Sequence, residues 1–294
     1  MPGHLLTPER VRSIVTVPVV AFPTVLLAIS CLVGVIAVCV AFYQNAIDHY
    51  VCCGLNTIFI FGSFTPLHDA AHGSIAKKQF RWLNDFVGIM CGFIMFLPYH
   101  AFRYLHLQHH QHTNDVDKDP DAWTSFGPWY LLPLRWMTIE YHHYSCYLSR
   151  DVFFSRSMTE RVLAIGQIAI NIGIAFFCHR FGLSSVMLWG WIIPGRVAVF
   201  FLALFFDYLP HRPHSHTRKE SEYMATSLIA LWPSKSSVSL LTLPLLYQNY
   251  HNIHHLVPYI PFYMYEKVWS HCSTELEAEG TQTIPIFGLR KKID

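Results

Sequence analysis

Residues 17–43 read VPVVAFPTVLLAISCLVGVIAVCVAFY, 27 residues without one charged side chain. Wound as a helix at about 1.5 Å per residue the stretch is about 40 Å long, and about 20 apolar residues are enough to cross a bilayer core. It predicts a membrane span. The apolar run far exceeds the core of about 7–15 residues in a cleaved signal peptide, and the flank before it, with Glu9, Arg10 and Arg12, shows no transit-peptide bias. Working outward, three more segments qualify as spans. Residues 51–67 follow a short turn that holds Asp48 and His49, while 162–178 and 183–206 form a tight pair around Arg180 and Gly182. Pro23 and Pro194 are expected to kink their helices, which membrane helices tolerate.

The composition agrees with a membrane chain. Of 294 residues, 52% are hydrophobic and 14% charged, against about 25% charged in soluble domains. A net charge of +2 gives no case for a nucleic-acid partner. The eight cysteines contain no CxxC pair and sit mostly in apolar segments, as small buried hydrophobes in a reducing compartment do. Neither a repeat nor a low-complexity linker interrupts the chain, so a single domain over 1–294 is expected. The fold class is read as all-α integral membrane. Four transmembrane helices form two hairpins, with interfacial helices and a histidine-rich cap built from 68–161 and 207–294. Two hairpins return the chain to its starting side each time. Of the 21 Lys and Arg, only Arg180 falls in a far-side loop and Arg196 in a span. That bias makes the termini and the cap cytoplasmic in a multi-pass protein, with a bacterial inner membrane as the expected location. Phe86 to Tyr99 is uncharged but only about 21 Å long as a helix, so a re-entrant or interfacial helix is expected there. Trp129 to Leu148 reads as another interfacial helix.

The 19 histidines cluster. HDAAH holds His68 and His72; HLQHH holds His106, His109 and His110; HNIHH holds His251, His254 and His255. Helical positions three and four apart share a face, so each box can aim its imidazoles at one point, and all three fall on the same expected side. His112 points off that face. Eight imidazoles exceed what one zinc takes and suit two iron ions, for which imidazole is a good ligand. Metal-bound histidine usually passes its second N–H to a carboxylate; Asp69, and Asp119 from the run TNDVDKDPDAW, are the candidates. Interfacial or solvated positions account for His4, His49, His100, His142, His143, His179 and His271.

In the order and spacing of these three boxes, the chain resembles the membrane fatty acid desaturase and hydroxylase superfamily, from about Phe61 to Trp269. The resemblance implies a four-helix membrane stem, a cytoplasmic cap with a di-iron centre, and O2-dependent oxidation of an unactivated lipid C–H bond. It also implies a ninth ligand upstream of the last box, here His211, with His214 and His216 as rivals. Asp207 stands where related desaturases place an Asn that contacts a metal-bound water, and Asn252 matches their HNxHH form. QNYHNIHHLVPYIPFYMY is similar to the last box of β-carotene hydroxylases, which favours ring hydroxylation of a carotenoid. Fatty acyl desaturation and decarboxylation of a free fatty acid to a terminal alkene are the alternatives.

The chain shows no GxGxxG, cysteine cluster or haem motif. Electrons are therefore expected from an external ferredoxin-like carrier, docked on a basic patch such as Lys77, Lys78 and Arg81, or Arg290, Lys291 and Lys292; matching of the membrane surface charge explains these patches equally well. Arg196 is expected near the cytoplasmic end of its span, paired with Asp207. Glu140 and His143 form one ExxH without the second that soluble di-iron carboxylate bundles use, and HDAAH lacks the Glu of an HExxH zinc protease. Two other classes remain: a histidine-rich metal transporter, whose site would lie at mid-bilayer, and a zinc hydrolase, which needs only three ligands.

Overall fold

The structure is a computed structural model and describes residues 5–287. The principal helices, in chain order, are α1 (Pro8–Ile14), α2 (Phe22–Tyr43), α3 (His49–His72), α4 (Trp82–Ile94), α5 (Tyr99–His112), α6 (Ile139–Leu148) and α7 (Met158–Arg180). After these come α8 (Ser184–His211), α9 (His251–Leu256) and α10 (Tyr265–Ala278). Two short strands, β1 (Ser227–Ala230) and β2 (Gln282–Pro285), pair in parallel with Ser227 opposite Gln282. The all-α expectation is corrected by this small sheet. A parallel pair forms only through tertiary contact, and four-residue strands leave little trace in a local pattern.

The chain forms two compact units. One holds 19–107 and 127–203; the other holds 1–18, 108–126 and 204–294. Segments 68–107 and 127–161, read from sequence as cap, thus belong to the unit of the long apolar helices.

Among the described residues four helices, α2, α3, α7 and α8, are long and apolar enough to cross a bilayer. Their bounds differ from the sequence expectation for local reasons. α2 begins at Phe22, because Val20 forms an antiparallel bridge with Ala76. Pro23 lies in the first turn, where its missing N–H costs nothing, so it starts the helix rather than kinking it. Asp48 caps α3 by accepting from the N–H of Tyr50 and Val51, which starts it two residues early. α3 runs on through the first box to a left-handed Gly73 at φ 67°. α7 opens on a capping box of Ser157 and Glu160.

α8 contains two π turns, Leu188–Ile192 and Ala203–Tyr208. Buried Asn56 of α3 donates to Gly190 O at 2.7 Å, within the first turn. A Cβ at Gly190 would lie 2.8 Å from Cys39 Sγ. Glycine is what allows these helices to close up, and the amide side chain satisfies a carbonyl inside the apolar layer.

α4 and α5 meet at 102°, and Tyr99 belongs to α5 rather than to the helix expected over 86–99. Pro98 drives Leu97 out of helical geometry. Gln167 of α7 then takes the N–H of Tyr99 on its Oε1 at 3.0 Å. The helix expected over 129–148 is broken: a 3-10 turn at Trp129–Leu131 and a short helix at Leu132–Trp136 precede α6.

Candidate metal centre

In the unit of the long helices, the last turns of α3 and the middle of α5 bring three imidazoles together. His72 Nε2 lies 2.8 Å from His106 Nε2. The His68 ring centroid is 4.5 Å from that of His106 and 5.2 Å from that of His72. His68 and His106 are buried and His72 half-buried. Tyr99, fully buried, donates its hydroxyl to Ala70 O at 2.9 Å. Arg103 donates Nε–H to Ala71 O at 3.2 Å. Both hold the first box from the helix that carries the second. Asp69 accepts from Thr24 Oγ1 at 3.0 Å, tying α3 to the start of α2.

The other unit holds the rest. His110 and His254 face each other at 2.8 Å between Nε2 atoms. His109, His211, His251 and His255 place ligand nitrogens within 4.8 Å of one another, all buried. His251 Nε2 is 3.0 Å from the Nε2 of both His211 and His255. A neutral imidazole nitrogen is either donor or acceptor, so shared protons cannot satisfy both contacts at once. A cation among them satisfies every lone pair. The donor set therefore fits a transition metal that accepts nitrogen ligands.

The second ring nitrogens are held from outside. His109 Nδ1 is 2.8 Å from Asp119 Oδ1 and 3.4 Å from Asp121 Oδ2. His254 Nδ1 is 3.0 Å from Tyr265 Oη, fully buried in α10. Such partners fix the tautomer and point Nε2 inward. Asp119 itself is locked, since its Oδ2 accepts the Asn114 N–H at 2.8 Å and its Oδ1 the Asp121 N–H at 2.9 Å. Arg218 closes the end of α5, giving Nη1–H to His110 O at 2.7 Å and its backbone N–H to Thr113 O.

Asp121, Tyr265 and Arg218 were missed by the sequence reading. Asp121 is one of an alternating acidic run that reads as a solvated loop. Tyr265 and Arg218 approach only through tertiary folding. Asn252 ties segments of its own unit together: its Nδ2 donates to Tyr223 O and Thr226 O, both at 3.1 Å, and its Oδ1 accepts from Thr281.

His214, one rival for the ninth position, stays out of the group. Its ring packs on Phe126 and Tyr208, with neither nitrogen hydrogen-bonded among the described residues. Burial, reinforced by Arg212, pushes its pKa down to about 4, so it is neutral at physiological pH. His216, the other rival, contacts Ser215 at the surface. Asp207 lies in a π turn followed by the 3-10 turn Leu209–His211, so the four residues from Asp207 to His211 do not make one regular α-helical turn. Arg196 is also corrected. It pairs with buried Glu140 of α6 and donates to Met137 O at 3.2 Å, because α6 lies against its own helix within the same unit. His112 and the histidines assigned no role join neither group among the described residues; His4, Arg290, Lys291 and Lys292 lie outside the described residues.

Comparison with known proteins accords with this arrangement. The sn-1 oleoyl-lipid 12-desaturase of Synechocystis sp. is 29% identical over 49% of this chain and 45% of its own length. A β-carotene ketolase of Haematococcus lacustris is 26% identical over 69% of this chain and 56% of its own length. The sn-1 acyl-lipid omega-3 desaturase (ferredoxin) of Nostoc sp. is 37% identical over 20% of this chain and 16% of its own length. The chain thus matches about half the length, or less, of these curated relatives. A family model described as fatty acid desaturase matches residues 49–286, from the first residue of α3 to just past β2 with all three histidine boxes inside, and the chain therefore belongs to the fatty acid desaturase family.

Proposed function

We propose that this chain is a membrane non-haem di-iron oxidoreductase that uses O2 to oxidise an unactivated C–H bond of a lipid, with desaturation of a fatty acyl chain as the reaction. The ligands of the iron pair would be His68, His72 and His106 in the unit of the long helices, and His109, His110, His211, His251, His254 and His255 in the other. The observation that carries the reading is the imidazole Nε2 atoms that face one another at 2.8–3.0 Å, all buried except the half-buried His72. α5 supports it further, since His106 and His110 lie one turn apart on a single helix face. When bound, the iron pair supplies O2 activation and removal of hydrogen from the C–H bond, chemistry that side chains lack.

The chain's own residues do the rest. Asp119 and Tyr265 hold tautomers at His109 and His254, burial of the boxes excludes water, and no side chain is needed as a general base. Electrons come from a separate ferredoxin-like carrier, in line with the ferredoxin named for the Nostoc relative. The distribution of basic residues supports a cytoplasmic metal site and termini, in a bacterial inner membrane.

Acyl desaturation comes first because two of the three relatives above are acyl-lipid desaturases by name. Oxidation of a carotenoid ring is the second reading, favoured by the larger share of the chain that the ketolase match covers. Ring hydroxylation as such has no support among these relatives. The test is expression in a host that makes both β-carotene and membrane acyl lipids, followed by lipid and pigment profiling and metal analysis of the purified chain. New acyl double bonds and two Fe per chain are expected, with loss of product in His254→Ala. Oxygenated carotenoid selects the second reading. A single zinc, or product retained by His254→Ala, refutes the di-iron assignment.

A further inference from the structure

Within the unit of the long helices, a cavity of about 540 Å3 opens beside the end of α3 that carries the first box. Its walls bring four cationic residues, Lys77, Lys78, Arg81 and Arg103, around a single carboxylate, Asp85. Like charges crowded into one concavity repel one another, more strongly where water is partly excluded. The local fold holds them there nonetheless. Gly73 turns the chain out of α3 at φ 67°, and the Val20–Ala76 bridge fixes the segment against the start of α2. Buried Asn84 then clamps it from α4. Its Oδ1 accepts the N–H of Ile75 and Ala76 at 3.1 and 3.3 Å, and its Nδ2 donates to Ala76 O at 2.8 Å. The wall is therefore built in advance of any ligand.

The cavity also has an apolar border. Trp82, which lines it, and Phe86 one turn on are 59% and 57% exposed. Exposed aromatics beside basic residues at the end of a span mark the membrane–water interface. We propose that this cavity binds the phosphate headgroup of an anionic phospholipid, whose acyl chains remain in the bilayer beyond Trp82 and Phe86. Guanidinium forks match phosphate oxygens in pairs, and basic pockets at span ends are suited to phospholipid headgroups. A single concavity is the wrong shape for a soluble acidic electron carrier, which would seat on an open face of up to about 600 Å2 per partner. Half-buried His72 shares the cavity wall, so the bound headgroup sits against the first box. The proposal does not depend on which C–H bond is oxidised.

The test uses the full chain in detergent, stripped of lipid and titrated with phosphatidylglycerol or phosphatidylcholine of matched acyl composition. Wild type is expected to prefer phosphatidylglycerol. In the double variant Lys78→Gln, Arg81→Gln that preference falls by about 30-fold, the effect of two basic side chains at a membrane surface. Asp85→Asn is expected to tighten binding several-fold, a gain that misfolding cannot imitate. Lys118→Gln, an exposed lysine of the other unit, leaves binding unchanged. The proposal is overturned if the double variant binds phosphatidylglycerol as wild type does, including when only its reduction by an acidic carrier is impaired. It is equally overturned if Lys118→Gln weakens binding as much, or if inorganic phosphate competes at the same concentration as the lipid, which would mark a site for the free anion.

Discussion

Asp119 holds His109 Nδ1 at 2.8 Å and is itself held by two backbone N–H groups. Removing the carboxylate frees the ring to rotate and lets the proton move to Nε2, where a metal would bind. Asp119→Ala is expected to weaken iron binding or turnover by about 10–100-fold, measured as iron retained during graded chelation, while the helix content stays as in wild type. The boxes were legible at this scale because their spacing is local: three or four residues along a helix is enough to place two rings on one face. Asp119 was legible for the same reason, ten residues from its histidine. Tyr265 was not, because only the packing of α10 on α9 brings its hydroxyl to His254. The assignment of His211 over His214 also lay beyond the spacing. Both follow Pro residues in DYLPHRPH, and the path of the chain through the last turn of α8 and beyond it points one ring toward His251 and the other against Phe126 and Tyr208.

Among the elements, the junction of α4 and α5 is the most exacting. A Cβ on Gly88 would overlap the Tyr99 ring, and that ring carries the hydroxyl bound to Ala70 O beside the first box. Gly88→Ala should destabilise the protein by about 1–3 kcal/mol through overpacking, read as a lower Tm, and should reduce iron content, since Tyr99 must shift. The Arg196–Glu140 pair ties α6 to α8. Glu140→Gln leaves a partly buried guanidinium without its carboxylate and is expected to cost about 3 kcal/mol, with α6 becoming the first site of proteolysis. Existence and type of the long helices were legible from apolar run length alone. Their ends were not, because caps such as Asp48 and Ser157, the Val20–Ala76 bridge and the Gln167 contact with Tyr99 are short-range or long-range hydrogen bonds that an apolar run does not encode.

For the molecule as a whole, the metal centre should contribute to stability as well as chemistry. A ligand that binds only the folded state at 1,000 times its Kd stabilises it by about 4 kcal/mol. Chelation of the iron-loaded chain is therefore expected to lower Tm by several degrees, and Fe(II), unlike Mg2+, should restore it; a Tm insensitive to chelation would show that the imidazoles pack without metal. By itself the sequence determined the class: charge-free runs long enough to cross a bilayer, and three histidine boxes whose donors share helix faces. Those properties reside in neighbouring residues, so no partner is required to read them. Only the tertiary structure decided which outer groups hold the imidazoles, which of the two histidines His211 and His214 turns inward, where Arg196 finds its carboxylate, and that four cations gather in one cavity beside α3. Each of those depends on contacts between residues far apart in the chain, and a linear pattern carries no distance between them.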